Sequence, residues 1–273
     1  GYVIQLYMEF SGCMDIIIGS GKLFAICLPE NFRQPFCAKN PSEFWRRWHI
    51  TLGAWFKAYI FYPVSVSGLV KKWNQYGRKH CGKHITRLVT SAIALFPVWV
   101  ANGVWHGAQW NYIFYGMYYF VLIMLGIAVE PVRDHILEAC HIDPETKIWR
   151  TIQIAKTWVI IVVGELFFRA NGLKAGWYMF CNMIKHFDAG QLTDGTLYTL
   201  GLERADYLAV IVGCLIVGIV GSMKEHGIHV QKKMGELAVP VRWGLYYALI
   251  IGILIFAAYG DGYQIQDLIY AGF

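Results

Sequence analysis

Apolar positions run together in this chain in blocks far longer than a soluble core element needs. From residue 88 to residue 129 there is no Asp, Glu, Lys or Arg, a run of 42 residues. A helix crossing the hydrocarbon layer takes about 20 apolar residues, so this run predicts a hairpin of two spans. Asn102, Gly103, Gly107 and Asn111 cluster near its middle and put the break around residues 102–110. Residues 207–223 and 243–260 are two more charge-free runs of spanning length. Residues 152–168 predict a fifth span, with Lys156 near one end and Glu165 near the other. Pro97 falls inside the first span, where its missing N–H can kink a helix.

The first 85 residues follow a different pattern. Residues 2–24 are apolar but interrupted by Glu9, Asp15 and Lys22. Residues 44–62 are strongly aromatic yet carry Arg46, Arg47, His49 and Lys57. There Trp45, Trp48, Leu52, Trp55 and Tyr59 recur at three- and four-residue spacing, the stripe of an amphipathic helix. Such a helix lies at the membrane surface, or enters the membrane only where protein surrounds it. The pattern predicts an all-α polytopic transmembrane bundle forming one membrane domain over residues 1–273. Residues 1–85 are its re-entrant or amphipathic helices, and residues 86–273 supply about five spans and a tail.

Composition supports this reading. The chain is 56% hydrophobic and only 15% charged, against about 25% charged in a soluble domain. Its partner is a membrane, and no nucleic acid is expected. The net charge of +6 is unevenly placed, with Lys71, Lys72, Arg78, Lys79, Lys83 and Arg87 crowding one predicted loop. The positive-inside rule makes residues 71–87 cytoplasmic. Threading from there puts 130–150 and 224–242 inside, and 169–204 and the C-terminus outside. The chain opens in mid-pattern at Gly1 without a signal peptide, so an N-terminal part of a larger protein is expected to precede it. Seven scattered cysteines form no Cys-x-x-Cys pair. The groups His80-Cys81 with His84 and His226 with His229 fall short of a full ligand set, so no metal is expected.

An ionisable side chain in a membrane run costs several kcal/mol on most estimates and is a functional candidate by default. His106 is the only one in its 42-residue run. A hydrogen-bonded histidine at a hairpin turn is the plain alternative. His49, beside the aromatic stripe and after two arginines, reads first as a membrane-surface histidine. Glu9, Asp15 and Glu165 are carboxylates in apolar context. Each can pair with an arginine, cap a helix or orient an imidazole. The tryptophans Trp45, Trp48, Trp55, Trp105 and Trp110 fit an interfacial belt or packing better than a ligand platform.

Four motifs occur in order: Phe-Ser-Gly at 10–12, Leu-Pro-Glu-Asn-Phe at 28–32, Glu-Phe-Trp-Arg-Arg-Trp-His at 43–49 and Asn-Gly-Val-Trp-His-Gly at 102–107. With these the chain, from about Gln5 onward, resembles the membrane-bound O-acyltransferase family. The bacterial branch with alginate O-acetyltransferases and teichoic acid D-alanyltransferases is the nearer one. The resemblance implies a many-helix membrane fold, thin at its centre, of which this chain is the C-terminal portion. It also implies catalytic roles for His106 and His49, with Glu9, Asp15, Asn102 and Trp105 as supporting candidates. No bound cofactor is implied. The acyl donor is a cytoplasmic thioester, acetyl-CoA or an acyl carrier protein.

The acceptor implied is a hydroxyl of an extracellular polysaccharide, teichoic acid or peptidoglycan, reached directly or through a secreted partner transferase. The setting is the bacterial cytoplasmic membrane. The ending Leu268-Ile269-Tyr270-Ala271-Gly272-Phe273 resembles a Phe-Ile-Tyr-x-x-Phe tail of this branch or its small partners, making Tyr270 a candidate acyl carrier. Departures from the family pattern are Glu9 for its usual Asp and Cys13-Met14 for its usual Tyr-Ser; Lys57-Ala58 follows Trp55-Phe56 where it has Arg-Asp. They bear on which acceptor is used. A non-catalytic scaffold of the family and a membrane transporter are the alternative functions.

Overall fold

In a computed structural model, which describes residues 1–256, all regular elements are helical. By its contacts the chain divides into two compact units, Gly1–Phe187 and Asp188–Phe273.

The first unit opens with α1 (Tyr2–Leu23), a single helix despite its internal charges. The apolar face holding Val3, Leu6, Phe10 and Ile18 is buried, while Asp15 is left exposed. An extended stretch and a 3₁₀ turn (Pro35–Cys37) lead to α2 (Pro41–Arg47). Asn40 caps α2 by accepting the Glu43 N–H at 2.9 Å, which satisfies one of the helix's loose donors. The Glu43 carboxylate in turn accepts the N–H of Lys39, just before the cap. Then come α3 (Ile50–Phe56), a π-helical turn (Lys57–Phe61), α4 (Tyr62–Ser65) and α5 (Gly68–His80).

The aromatic stretch 44–62 is therefore not the single amphipathic helix its periodicity predicts. It breaks at Trp48-His49. Trp48 is buried on one side of the break, while Trp55 and Tyr59 beyond it are exposed. The basic stretch 71–87, expected as a loop, is helical too, formed by α5 and the first turns of α6 (Gly82–Trp105).

α6 and α7 (Trp110–Ala128) are the expected hairpin, with Pro97 inside the first arm. They touch backbone to backbone. A Cβ on Gly116 would lie 2.2 Å from the Trp99 carbonyl oxygen, and one on Gly103 would lie 2.7 Å from that of Tyr112. Small residues permit this approach where lipid removes the hydrophobic drive for association. At the far end the His84 ring bonds the Ala128 carbonyl at 3.2 Å, joining the two arms, and Arg87 pairs with Glu130 just past α7. After α8 (Glu130–Ala139), α9 (Lys147–Arg169) packs on α7, with Gly164 leaving room for the Tyr119 ring. α10 (Leu173–Lys185) closes the unit.

The second unit has two 3₁₀ turns (Ala189–Leu192 and Thr196–Leu200), α11 (Arg204–Glu225), α12 (Val230–Gly235) and α13 (Val239–Phe256). The five helices α6, α7, α9, α11 and α13 are each long and apolar enough to cross a membrane, matching the five predicted spans. The outer faces of α6, α7 and α9 carry exposed Phe96, Val121, Leu125 and Val159. Side chains of this kind suit hydrocarbon and would form large exposed patches in water.

Candidate active site

The break at His49 has a local cause. Residues 31–33 run beside residues 47–50, with the Arg33 N–H donating to the Arg47 carbonyl at 2.9 Å and the Ile50 N–H to the Asn31 carbonyl at 3.0 Å. The Arg47 guanidinium also donates to the Arg33 carbonyl at 3.0 Å. Between them His49 takes the left-handed conformation at φ 44°, ψ 56°. For a residue with a Cβ this conformation costs about 1–2 kcal/mol.

The ring of His49 is held from two sides. Phe10 of the Phe-Ser-Gly motif meets it edge-on at 4.8 Å between centroids. Its Nδ1 lies 3.0 Å from Asn31 Oδ1. The hydrogen-bonded partner of His49 is thus an amide, and neither Glu9 nor Asp15 takes that place. Glu9 sits half-buried on α1. Burial lowers the His49 imidazole from 6.5 to about 4, so the ring is neutral near pH 7.

His106 terminates α6. Its N–H is shared between the Asn102 and Gly103 carbonyls at 3.4 and 3.2 Å. The side chain is buried in a box of rings: Phe168 at 4.9 Å, Tyr115 at 5.8 Å and Tyr112 at 6.1 Å. Phe168 comes from α9, and the reason it sits there is Asn111. The Asn111 amide donates to the carbonyls of Phe168 and Ala170 at 3.3 and 3.2 Å, tying the start of α7 to the end of α9. Trp105 packs against both histidines, 5.8 Å from the His49 ring and 4.6 Å from the His106 ring. One indole thus joins two imidazoles that lie far apart in sequence.

A cavity of about 530 Å³ opens beside them. Trp45, Trp99, His49 and Asn102 are on its wall, together with the cations Arg46 and Lys57. His106 is not on that wall, though its ring touches Trp105 and its N–H bonds the carbonyl of the lining residue Asn102. The Asn102 side-chain oxygen is buried, with no hydrogen-bond partner among the described residues. A mostly apolar cavity with a few polar groups and two cations suits a long ligand with an anionic portion.

Tyr115, whose ring meets that of His106, belongs to a polar pair of which the sequence flags only the carboxylate. The Tyr115 hydroxyl donates to Glu165 Oε1 at 2.7 Å, in surroundings where Glu165 is 2% exposed. The second Glu165 oxygen has no partner among the described residues. Among those residues no three His, Cys, Asp or Glu side chains converge in a way that could hold a metal ion. The His80 ring instead packs on Tyr76, and His226 bonds the Ser222 carbonyl. Tyr270 lies outside the described residues.

Fold and site together define a polytopic helical membrane protein with two histidines gathered about one tryptophan. No family model matches the chain. It is 29% identical over 216 residues to a probable alginate O-acetylase of Pseudomonas aeruginosa, covering 79% of this chain and 35% of that protein. It is 32% identical over 184 residues to a peptidoglycan O-acetyltransferase of Helicobacter pylori, covering 67% and 30%. To a teichoic acid D-alanyltransferase of Bacillus subtilis it is 36% identical over 123 residues, covering 45% and 29%. The chain belongs to the membrane-bound O-acyltransferase family, in the branch that includes these proteins. It spans about a third of the length of these relatives.

Proposed function

We propose that this chain carries the reactive centre of a membrane O-acyltransferase. The enzyme moves an acetyl or D-alanyl group from a cytoplasmic thioester to a hydroxyl of an extracellular polymer. The observation that carries the reading is that His49 and His106 both pack against Trp105, next to an apolar cavity bearing Arg46 and Lys57. The names of the relatives support acyl transfer to alginate, peptidoglycan or teichoic acid.

In this reading the thioester arm enters the cavity, and its phosphates or acidic carrier meet the cations of Arg46, Lys57 and the basic α5. A neutral imidazole takes the proton of the acceptor hydroxyl as its oxygen forms a C–O bond to the thioester carbonyl. The tetrahedral intermediate then collapses, the C–S bond breaks, and the leaving sulfur recovers the proton from the imidazolium. His106 is assigned as this base and His49 as its proton-sharing partner. The Tyr270 hydroxyl is the candidate first acceptor, which would pass the acyl group to a secreted transferase or to the polymer. The setting is the bacterial cytoplasmic membrane.

Thioester consumption by the purified protein, compared with that of His106→Ala, tests the reading. The expected loss is 10²-fold or more, in the range general-base catalysis contributes. Transfer at the parental rate in His106→Ala would defeat the assignment. Loss of product in Tyr270→Phe is the corresponding expectation for the relay.

A further inference from the structure

The hydrogen bonds around Asn31 determine more than the position of His49. Its Oδ1 receives the Thr51 backbone N–H at 3.2 Å and the Thr51 hydroxyl at 2.6 Å. A backbone N–H can only donate, so the atom facing it must be the amide oxygen. The other end of the amide agrees, since Nδ2 donates to the Met14 sulfur at 3.4 Å. Asn31 Oδ1 is therefore an acceptor, and the His49 Nδ1 that lies 3.0 Å from it must carry the proton. In a neutral imidazole that leaves Nε2 as the bare nitrogen.

We infer that Asn31 is a positioning residue that holds His49 in its Nδ1–H tautomer, so that Nε2 meets the cavity's ligand as a proton acceptor. The inference rests on the acyl-transfer reading for its use, though the tautomer itself does not. It narrows the role of His49. A ring in this state does not donate a hydrogen bond to a thioester carbonyl, whereas it can accept one from an attacking hydroxyl or take its proton. Asn31 holds the backbone as well, because its carbonyl receives the Ile50 N–H and so supports the left-handed turn that aims the ring. Among the described residues, His106 is the titratable neighbour of the ring, and Arg46 and Lys57 are the cations on the cavity wall that His49 shares.

Two measurements on the purified protein in lipid decide the matter. The first is the ¹⁵N spectrum of histidine-labelled protein, with the His49 signals assigned by their loss in His49→Gln. Protonated Nδ1 and bare Nε2 are expected; a protonated Nε2 with bare Nδ1 overturns the inference whether or not the protein transfers acyl groups. The second is the pH profile of thioester consumption. Asn31→Leu removes the acceptor and is expected to slow transfer roughly 10–100-fold, the range seen when a partner that fixes a histidine's tautomer is lost. Asn31→Asp keeps an acceptor but sets a carboxylate against the ring, which favours the imidazolium. The acid limb of its profile is expected to move to higher pH. A purely structural Asn31 would lower the rate and leave that limb in place, and this result would also overturn the inference. Should Asn31→Leu fail to fold, the spectrum of the parent and the Asn31→Asp profile still decide. A parent that consumes no thioester while showing the expected tautomer defeats the acyl-transfer reading and not the tautomer.

Discussion

Gly116→Ala is the sharpest test of how the hairpin holds the site. The added methyl would lie 2.2 Å from the Trp99 carbonyl oxygen and 3.3 Å from the Gly103 nitrogen. Restoring an ordinary 3.4 Å contact requires α6 and α7 to part by about 1.2 Å at this level, because the obstacle is backbone and cannot rotate away. Overpacking of this kind costs about 1–3 kcal/mol, and a rigid obstacle points to the upper end. Alanine's helix propensity returns about 1 kcal/mol, leaving a net loss of about 2 kcal/mol. The effect on transfer should be larger than the effect on stability. Gly103 accepts the His106 N–H, so parting the arms moves the His106 ring. A 1 Å misplacement can cost about 10²-fold in rate. The control is Gly126→Ala on the same helix, where a Cβ meets nothing within 4 Å. Denaturant unfolding in detergent and thioester consumption should both separate the two variants. Equal stability and equal rate for Gly116→Ala and Gly126→Ala would refute the reasoning.

Asn111→Ala removes both hydrogen bonds to the end of α9 and should destabilise the protein by about 1–3 kcal/mol, read by the same unfolding assay. Because Phe168 forms part of the box around His106, the transfer rate should fall with it; an unchanged rate and stability would show that the tie is idle. Tyr115→Phe removes the donor to Glu165 Oε1 and should cost about 1–3 kcal/mol. In a Glu165→Leu background the same change should cost less than half as much, and equal costs in both backgrounds would rule out the pairing.

The long spans were legible because a membrane leaves few alternatives. Charges are costly within the hydrocarbon, so the charge-free runs mark α6, α7, α11 and α13, and the break at 102–110 contains the observed turn. The tryptophan–histidine motifs also pointed to His49 and His106, which the fold brings to one indole. What the pattern concealed depends on contacts distant in sequence. Periodicity carried a helix through His49 because it cannot register backbone hydrogen bonds arriving from residues 31–33. Asn31 stands in the Leu-Pro-Glu-Asn-Phe motif as a family marker, and nothing in the sequence names it as the partner of an imidazole, a place that a carboxylate also fits. Asn111 read as a turn residue, and the bond between Tyr115 and Glu165 joins residues 50 positions apart. Composition can flag a carboxylate in an apolar run but cannot name its donor.

The left-handed backbone of His49 also restricts how this position can change over evolutionary time. Only residues that tolerate positive φ can occupy it without added strain: glycine freely, asparagine and aspartate with local help, and β-branched residues hardly at all. Drift away from histidine is therefore channelled toward small polar side chains. Asparagine is the natural step, since it keeps hydrogen-bonding capacity but loses the titrating ring. A lineage that made this exchange would keep the turn and a polar group on the cavity wall while losing a proton-accepting ring there. For the same reason, an alanine or valine scan through the motif would report strain in the turn as though it were lost chemistry.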